Sequence, residues 1–334
     1  MIKKIYVGLL FIVYAANSNA QVVTVGQYNL ENLFDIVDDP KINDADFLPT
    51  GANQWTKERY ETKLKNMAEV IASFENGAGI DILSVCEVEN KKVLEDLVTR
   101  KSIKDMNYGI VHSESPDERG IDVAMLYKKS VFTPTKQTAY TVPLPDGDKT
   151  RDVLLVQGKL KNDAKVSFII VHFPSRREGT QESEPKRIAA AQVVRTVRDA
   201  IAKNNPNEYI FVMGDFNDTP SDSSISRTIG AWGNNDHKHQ LYNPFYRMHR
   251  SGEGTFKYKG KWDMLDQIIV STNTLNPEAK VQYIPQSAVV YKPSFMQESE
   301  ERYAGSPKRT YVGPKYIGGY SDHFPLMIKM QLQK

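Results

Sequence analysis

The sequence predicts an α/β fold in which two β-sheets pack face to face and carry helices on their outer surfaces. Two observations support this. Short runs rich in β-branched and aromatic residues alternate with amphipathic helical segments along the whole chain. No internal repeat and no low-complexity linker marks a boundary, so residues 21–334 are expected to form one domain around a shared core.

The elements follow in chain order. "QVVTVGQYNL" (21–30) is a strand, because Val, Thr and Tyr favour a pleated surface. Tyr60, Leu64, Met67, Ile71 and Phe74 recur at three- and four-residue steps, giving a helix with one buried face and Thr56 as its N-cap. "DILSVCEV" (81–88) is apolar enough for a strand covered on both faces. "GIDVAMLYKK" (120–129), "RDVLLVQGKL" (151–160) and "KVSFIIVHF" (165–173) are further strands. A helix then opens with Pro185 in its first turn, where a missing N–H costs nothing, and Ala189, Val193, Val197 and Ile201 form its inner face. "EYIFVMGD" (208–215), "MLDQIIVS" (264–271) and "FPLMIKMQL" (324–332) complete the strand set. The long irregular stretches fall at 36–55, 142–150, 174–184, 217–262 and 284–320, and loops of that length in a compact domain are usually functional or disordered.

Residues 1–20 read as a secretory signal peptide. Lys3 and Lys4 form the basic start, Ile5 to Ala16 the apolar stretch, and Ser18, Asn19 and Ala20 the cleavage site. The apolar stretch is short for a membrane span, so the expectation is export to the periplasm or the medium, without stable membrane insertion. Loss of Lys3 and Lys4 turns the formal charge of +2 into a balance of basic and acidic groups. A protein that grips long nucleic acid through many phosphates usually carries a basic excess, and its absence counts against a processive, high-affinity nuclease. The single cysteine, Cys86, lies in an apolar run and reads as a buried structural thiol.

Polar residues collect where the strands end. "YNLENLF" places Asn29, Glu31 and Asn32 at the end of the first strand, and "VCEVEN" places Glu87 and Glu89 at the end of the second. "IIVHFPSR" supplies His172, Arg176 and Arg177, and "VMGDFND" supplies Asp215, Asn217 and Asp218. "KWDMLDQ" puts Asp263 and Asp266 at a strand start, and "YSDHF" sets Asp322 beside His323. Each cluster alone is an ordinary turn; six of them at strand ends are not. Carboxylates and amide oxygens suit a hard cation such as magnesium, and no Cys/His set suits zinc.

The order of these motifs, above all "GDFN" and "SDH" with a strand-start aspartate between them, resembles the endonuclease/exonuclease/phosphatase superfamily of metal-dependent phosphoesterases. The likeness runs from Asn29 to His323. It implies a four-layered α/β sandwich, two packed mixed β-sheets flanked by helices, with the active site at one end of the sheets. It also implies a hydrolase that binds magnesium, or manganese in its place, and attacks a phosphodiester with water. A nuclease is the first expectation; a phosphomonoesterase or an inositol-phosphate or phospholipid phosphoesterase is the alternative. The partner is then a phosphate ester, nucleic acid included, met by a monomer. Position by position, Asn29 and Glu87 match the inner metal ligands, with Glu31 and Asp322 as further acids near the metal. Asp215 and Asn217 match the pair that positions the attacking water and the scissile phosphate. Asp266 matches the acid that orients His323, and His172 falls where members carry a phosphate-contacting residue. Arg176 and Arg177 are candidate substrate contacts. Where the family usually has Gln before the metal-binding Glu, this chain has Cys86. The histidine-rich "DHKH" (236–239) matches nothing in the pattern and reads as a surface loop. A serine hydrolase built on Ser321, Asp322 and His323 is disfavoured, because three consecutive residues do not make a relay.

Overall fold

The computed structural model describes residues 21–234 and 241–334; the signal peptide read at 1–20 and the "DHKH" run lie outside the described residues. Strand β1 spans Gln21–Leu33, β2 Ile82–Val88, β3 Tyr108–His112, β4 Asp122–Lys128, β5 Phe132–Tyr140 and β6 Val153–Leu160. Then come β7 Lys165–His172, β8 Tyr209–Asp215, β9 Ala231–Trp232, β10 Leu241–Tyr242, β11 Phe256–Tyr258, β12 Lys261–Asp263 and β13 Asp266–Ser271. The last strands are β14 Val281–Tyr283, β15 Val289–Val290, β16 Tyr311–Val312, β17 Lys315–Tyr316 and β18 Leu326–Leu332. The α-helices are α1 Lys57–Ser73, α2 Lys91–Val98, α3 Glu184–Asn204 and the short α4 Tyr246–Arg250.

One seven-stranded sheet runs in the order β14-β18-β1-β2-β4-β3, with β15 also on β18; the second runs β5-β6-β7-β8-β13-β10-β9. Both are mixed: β1 is parallel to β2 and antiparallel to β18, and β8 is parallel to β7 and antiparallel to β13. The sheets bury their facing sides against each other, with Phe168, Phe211, Met213 and Ile268 of the second in one cluster with Val23, Val85 and Ile328 of the first. α1 and α2 cover the outer face of the first sheet and α3 that of the second, where Val194, Val197 and Ile201 join Ile169 and Val212. This is the four-layered α/β sandwich.

The predicted strands are present, and Thr56 caps α1, its side chain accepting from Arg59 N. On α3 the predicted Val197 and Ile201 are buried, while Ala189 and Val193 lie at the edge of a stripe that runs instead through Ala190 and Val194. A strict four-residue step overshoots a turn of 3.6 residues, so the reading drifted off axis. Besides α4 and the two- and three-residue strands, β3, α2 and β5 have no counterpart in the sequence reading. β3 is short, and α2 has only eight residues. β5 is an edge strand with exposed residues and a register shift between Pro134 and Lys136, which the edge tolerates.

Gly214, in the last turn of β8 before the site, sits at φ +151, and a Cβ there would lie 1.9 Å from Val171 O of β7. Glycine is what lets the two parallel strands close up beside His172 and Asp215. Gly214→Val is therefore expected to destabilise the protein by about 2–4 kcal/mol, read as a lower urea midpoint with an unchanged slope.

Candidate active site

Strand register assembles the polar row. His172 of β7 pairs with Asp215 of β8, and Asp215 pairs with Asp266 of β13, so these three stand side by side across the end of the second sheet. From the facing sheet, Asn29 Nδ2 donates to Asp215 Oδ2 at 3.0 Å and to Glu87 Oε1 at 3.2 Å, bridging the two sheets. Gln27 Nε2 adds a second bridge to Asp266 Oδ1 at 3.3 Å.

The backbone at the sheet ends is bent to aim these groups. The β1–β2 ladder shifts register between Asn29 and Leu33, and the β2–β4 ladder between Cys86 and Val88. Glu31, Asn32, Glu87 and Asn217 all have φ between 47° and 59°, a region that costs energy for residues with a side chain. Such bulges re-aim side chains at the rims of sheets. Hydrogen bonds hold the bent segments: Glu31 N donates to Asn29 Oδ1 at 2.8 Å, Asn32 N to Glu87 Oε2 at 3.0 Å, and Asn217 N to Asp215 Oδ1 at 2.8 Å.

His323 Nδ1 meets Asp266 Oδ2 at 2.6 Å, and its Nε2 lies 3.9 Å from Asp215 Oδ2. Burial opposes charge on this ring, but the carboxylates of Asp266 and Asp215 overcome it and hold the pKa well above the ordinary value. His172 is the opposite case. Burial, then the charges of Arg151 and Arg119, push its pKa well down, so it stands neutral with Nε2 3.9 Å from both Glu87 Oε1 and Asp215 Oδ2. Its Nδ1 is buried and has no hydrogen-bond partner. Asp215 is pushed up to about 7, first by burial and then by the charge of Asp266. Glu31 is likewise pushed up to about 7 by burial and Asp322, against the pull of Lys63. Carboxylates that raise one another in this way form a site short of positive charge, and oxygen donors in such a set fit a hard divalent cation. Glu87 and Asp215 could hold it; the Asn29 amide beside them turns its Nδ2 to both carboxylates and its Oδ1 to Glu31 N. Asp266 is committed to His323 and Gln27.

The remaining candidates separate. Asn217 Nδ2 donates to Phe173 O at 2.9 Å, fixing the "GDFN" turn against the end of β7. Asp322 is half-buried, close enough to Glu31 and Lys63 to act on both electrostatically. Arg176 donates to Asn217 O at 2.5 Å and pairs with Asp218 at 2.9 Å and Asp222 at 2.7 Å, so its guanidinium braces the loop that carries Asn217. Arg177 is exposed and lines a cavity beside the site with Arg119, Glu31 and Asn32. Ser321 Oγ donates to Asn29 O at 2.7 Å rather than to His323, so it ties β1 to the "SDH" turn and is no nucleophile.

Two residues of the candidate site escaped sequence reasoning. Lys63 sits on the apolar stripe of α1, one position before Leu64, and its buried ammonium donates to Thr310 Oγ1 and Tyr320 O at 2.8 and 2.7 Å, 3.7 Å from Glu31. A lysine at the edge of a buried stripe was the available signal. Gln27 is the other. Its amide accepts from Ser84 Oγ and lies 3.5 Å from Cys86 Sγ, so Cys86, a free and buried thiol, packs beneath a glutamine from the neighbouring strand.

Comparison with known proteins agrees with this geometry. The Endonuclease/Exonuclease/phosphatase family profile matches residues 24–332, and the chain belongs to that family of phosphoric ester hydrolases. No curated protein matches it in sequence. Among solved structures it is similar to an endonuclease/exonuclease/phosphatase family protein from Bacteroides thetaiotaomicron, at 16% identity and TM-score 0.57, covering 94% of this chain and 99% of that one. It is similar to truncated Caenorhabditis elegans TDP2, at 18% identity and TM-score 0.56, covering 93% and 98%. A Bacteroides thetaiotaomicron mannosyl-6-phosphatase matches at 16% identity and TM-score 0.55, covering 92% and 99%. At these identities the likeness concerns the fold.

Asp266→Asn should leave the burial of His323 opposed only by the charges of Asp215 and Asp322. In the wild type, the charge on His323 favours the fold fully below the ordinary pKa of 6.5 and is lost only as pH rises through the elevated folded value. In the variant the imidazole is expected to titrate at clearly lower pH by NMR, and turnover to fall about 10²–10⁴-fold.

Proposed function

We propose that the protein hydrolyses a phosphodiester by metal-assisted in-line attack of water, as a nuclease-like enzyme acting on lightly held nucleic acid. The observation that carries this reading is the convergence of Glu87, Asp215 and His323 on one point between the sheets, with Asp215 Oδ2 3.9 Å from the Nε2 of both His172 and His323. Magnesium bound there, or manganese in its place, would polarise a phosphoryl oxygen and offset the charge that develops on it. Asp215, fixed at the end of a buried strand, is placed to align the attacking water. Asn217 holds the turn that aims Asp215, and His323, kept charged by Asp266, faces the phosphate oxygens. His172 is kept neutral and serves as a hydrogen-bonding contact. Arg177 and Arg119 supply positive charge at the rim, where planar guanidinium groups suit a phosphate.

A second reading, a phosphomonoesterase for a small phosphorylated sugar, nucleotide or lipid head group, is favoured by the adjoining cavity. It holds about 360 Å³, with Phe34, Trp55 and Tyr311 on one side and Asn32, Arg119 and Arg177 on the other. That is a pocket for one sugar or base rather than a long groove. The relatives point both ways: one is a mannosyl-6-phosphatase, and a Danio rerio TDP2 was crystallised with a single-strand DNA product. Export also belongs to this proposal, resting on Lys3, Lys4, the apolar stretch and Ala20. No helix among the described residues is long and apolar enough to cross a membrane.

Turnover of plasmid DNA and of a sugar phosphate should cease with a chelator and return with magnesium. Glu87→Gln is expected to lower it about 10²-fold or more while the circular dichroism spectrum stays unchanged. Near-normal turnover of this variant at low magnesium would remove Glu87 from the metal site.

Salt separates the two substrate readings. With DNA as substrate at fixed magnesium, log KM against log salt is expected to have a slope reporting one to three phosphate contacts, each contributing about 0.9. A dependence steeper than about 5 would mean a long phosphate track and would set the small-substrate reading aside.

A further inference from the structure

A second concentration of positive charge lies on the far half of α3. The helix opens beside the catalytic centre, where Arg187 Nε stands 2.7 Å from Asp218 Oδ1. At about 1.5 Å per residue, Arg195, Arg198 and Lys203 lie roughly 12–24 Å further along the axis. Between them and the turn at Ser224–Ile229 is an open cavity of about 720 Å³, with Arg227 and Trp232 on its other wall. Its lining carries four cations and one carboxylate: Asp199 meets Arg198 Nη2 at 2.6 Å and Arg195 Nε at 3.7 Å. Lys203 stands in the last turn of α3, so part of its charge complements the helix dipole. Arg195 and Arg227 are exposed.

Arg198 distinguishes this cavity from an ordinary solvated patch. Its side chain is only 8% exposed, and its Nε is buried without a hydrogen-bond partner. Burial also weakens its hold on its proton. Native structures rarely leave a buried guanidinium N–H without an acceptor, and an oxyanion is the acceptor such a group binds best. Trp232, half-buried and tilted against Tyr246 with ring centroids 6.5 Å apart, borders both this cavity and a neighbouring one that carries Arg247 and Arg250. An indole between two basic hollows is a stacking surface flanked by phosphate contacts.

We propose that this cavity is a second anion site, separate from the catalytic centre, that takes the phosphate of a nucleotide on Arg198, Arg195 and Arg227 and lays its base against Trp232. The nucleotide is either free or part of a single strand; the phosphate and base chemistry is the same. The site does not depend on which ester the catalytic centre cleaves.

The test is calorimetry on the full chain with a chelator present, using inorganic phosphate, adenosine monophosphate and a single-stranded oligodeoxynucleotide as separate probes. The monophosphate is expected to bind with Kd of about 1 mM or tighter, and equally well to Glu87→Gln. Arg195→Gln combined with Arg227→Gln, both exposed positions, should weaken it at least about tenfold while metal-dependent turnover of a small phosphate ester stays unchanged. Arg198→Met should do the same where it folds. Tighter binding of the oligonucleotide identifies a strand as the natural occupant, and equal affinity identifies the free nucleotide. Three results overturn the proposal: no binding of any probe, binding untouched by the double substitution, or binding lost in Glu87→Gln. Phosphate binding as tightly as the monophosphate overturns the role given to Trp232.

Discussion

The amide of Asn29 is the hinge of the structure. One NH₂ group reaches a carboxylate of its own sheet, Glu87, and a carboxylate of the opposite sheet, Asp215. Its oxygen holds the N–H of Glu31, and its backbone carbonyl accepts from Ser321. Most of the remaining contact between the two sheets is apolar packing, which is not directional. Polar links from Asn29 and Gln27, with the His323–Asp266 contact, fix how the ends of the sheets face each other, and the spacing of the candidate site depends on that alignment.

Gathering so many carboxylates at one point is expensive, and the structure shows how the cost is distributed. Asp215 and Glu31 are driven up to about 7 by burial and by their acidic neighbours. Lys63 and His323 bring the compensating charge, each from an element remote in sequence. Left-handed backbone at Glu31, Asn32, Glu87 and Asn217 adds strain of about 1–3 kcal/mol each. A large two-sheet core lies behind the site, and it supports these local losses without a disulfide.

The two histidines show why burial alone does not set chemistry. Both are almost fully buried. His323 has Asp266 on its Nδ1 and stays charged, whereas His172 faces Arg151 and Arg119 and stays neutral. The same side chain thus takes two roles a few ångströms apart, decided by which charges the register of the second sheet brings near each ring.

The sequence by itself determined the element types and the sites where polar residues end apolar strands. Periodicity and strand composition are local, so β1, β2, β4, β6, β7, β8, β13 and β18 were legible, as were α1 and α3. The polar strand ends were legible for the same reason, since a carboxylate closing a Val- and Ile-rich run is visible in one dimension. Tertiary structure alone decided the rest. Which face of α3 is buried depended on the sheet beneath it, and β5 owes its existence to pairing with β6. That Arg176 braces a loop while Arg177 faces the cavity depended on where Asp218 and Asp222 come to lie, because adjacent residues project in different directions. Lys63 and Gln27 became site residues only through contacts with Thr310, Tyr320 and Asp266, more than two hundred positions away. Such pairings are set by strand order and register, and no local pattern of residues encodes them.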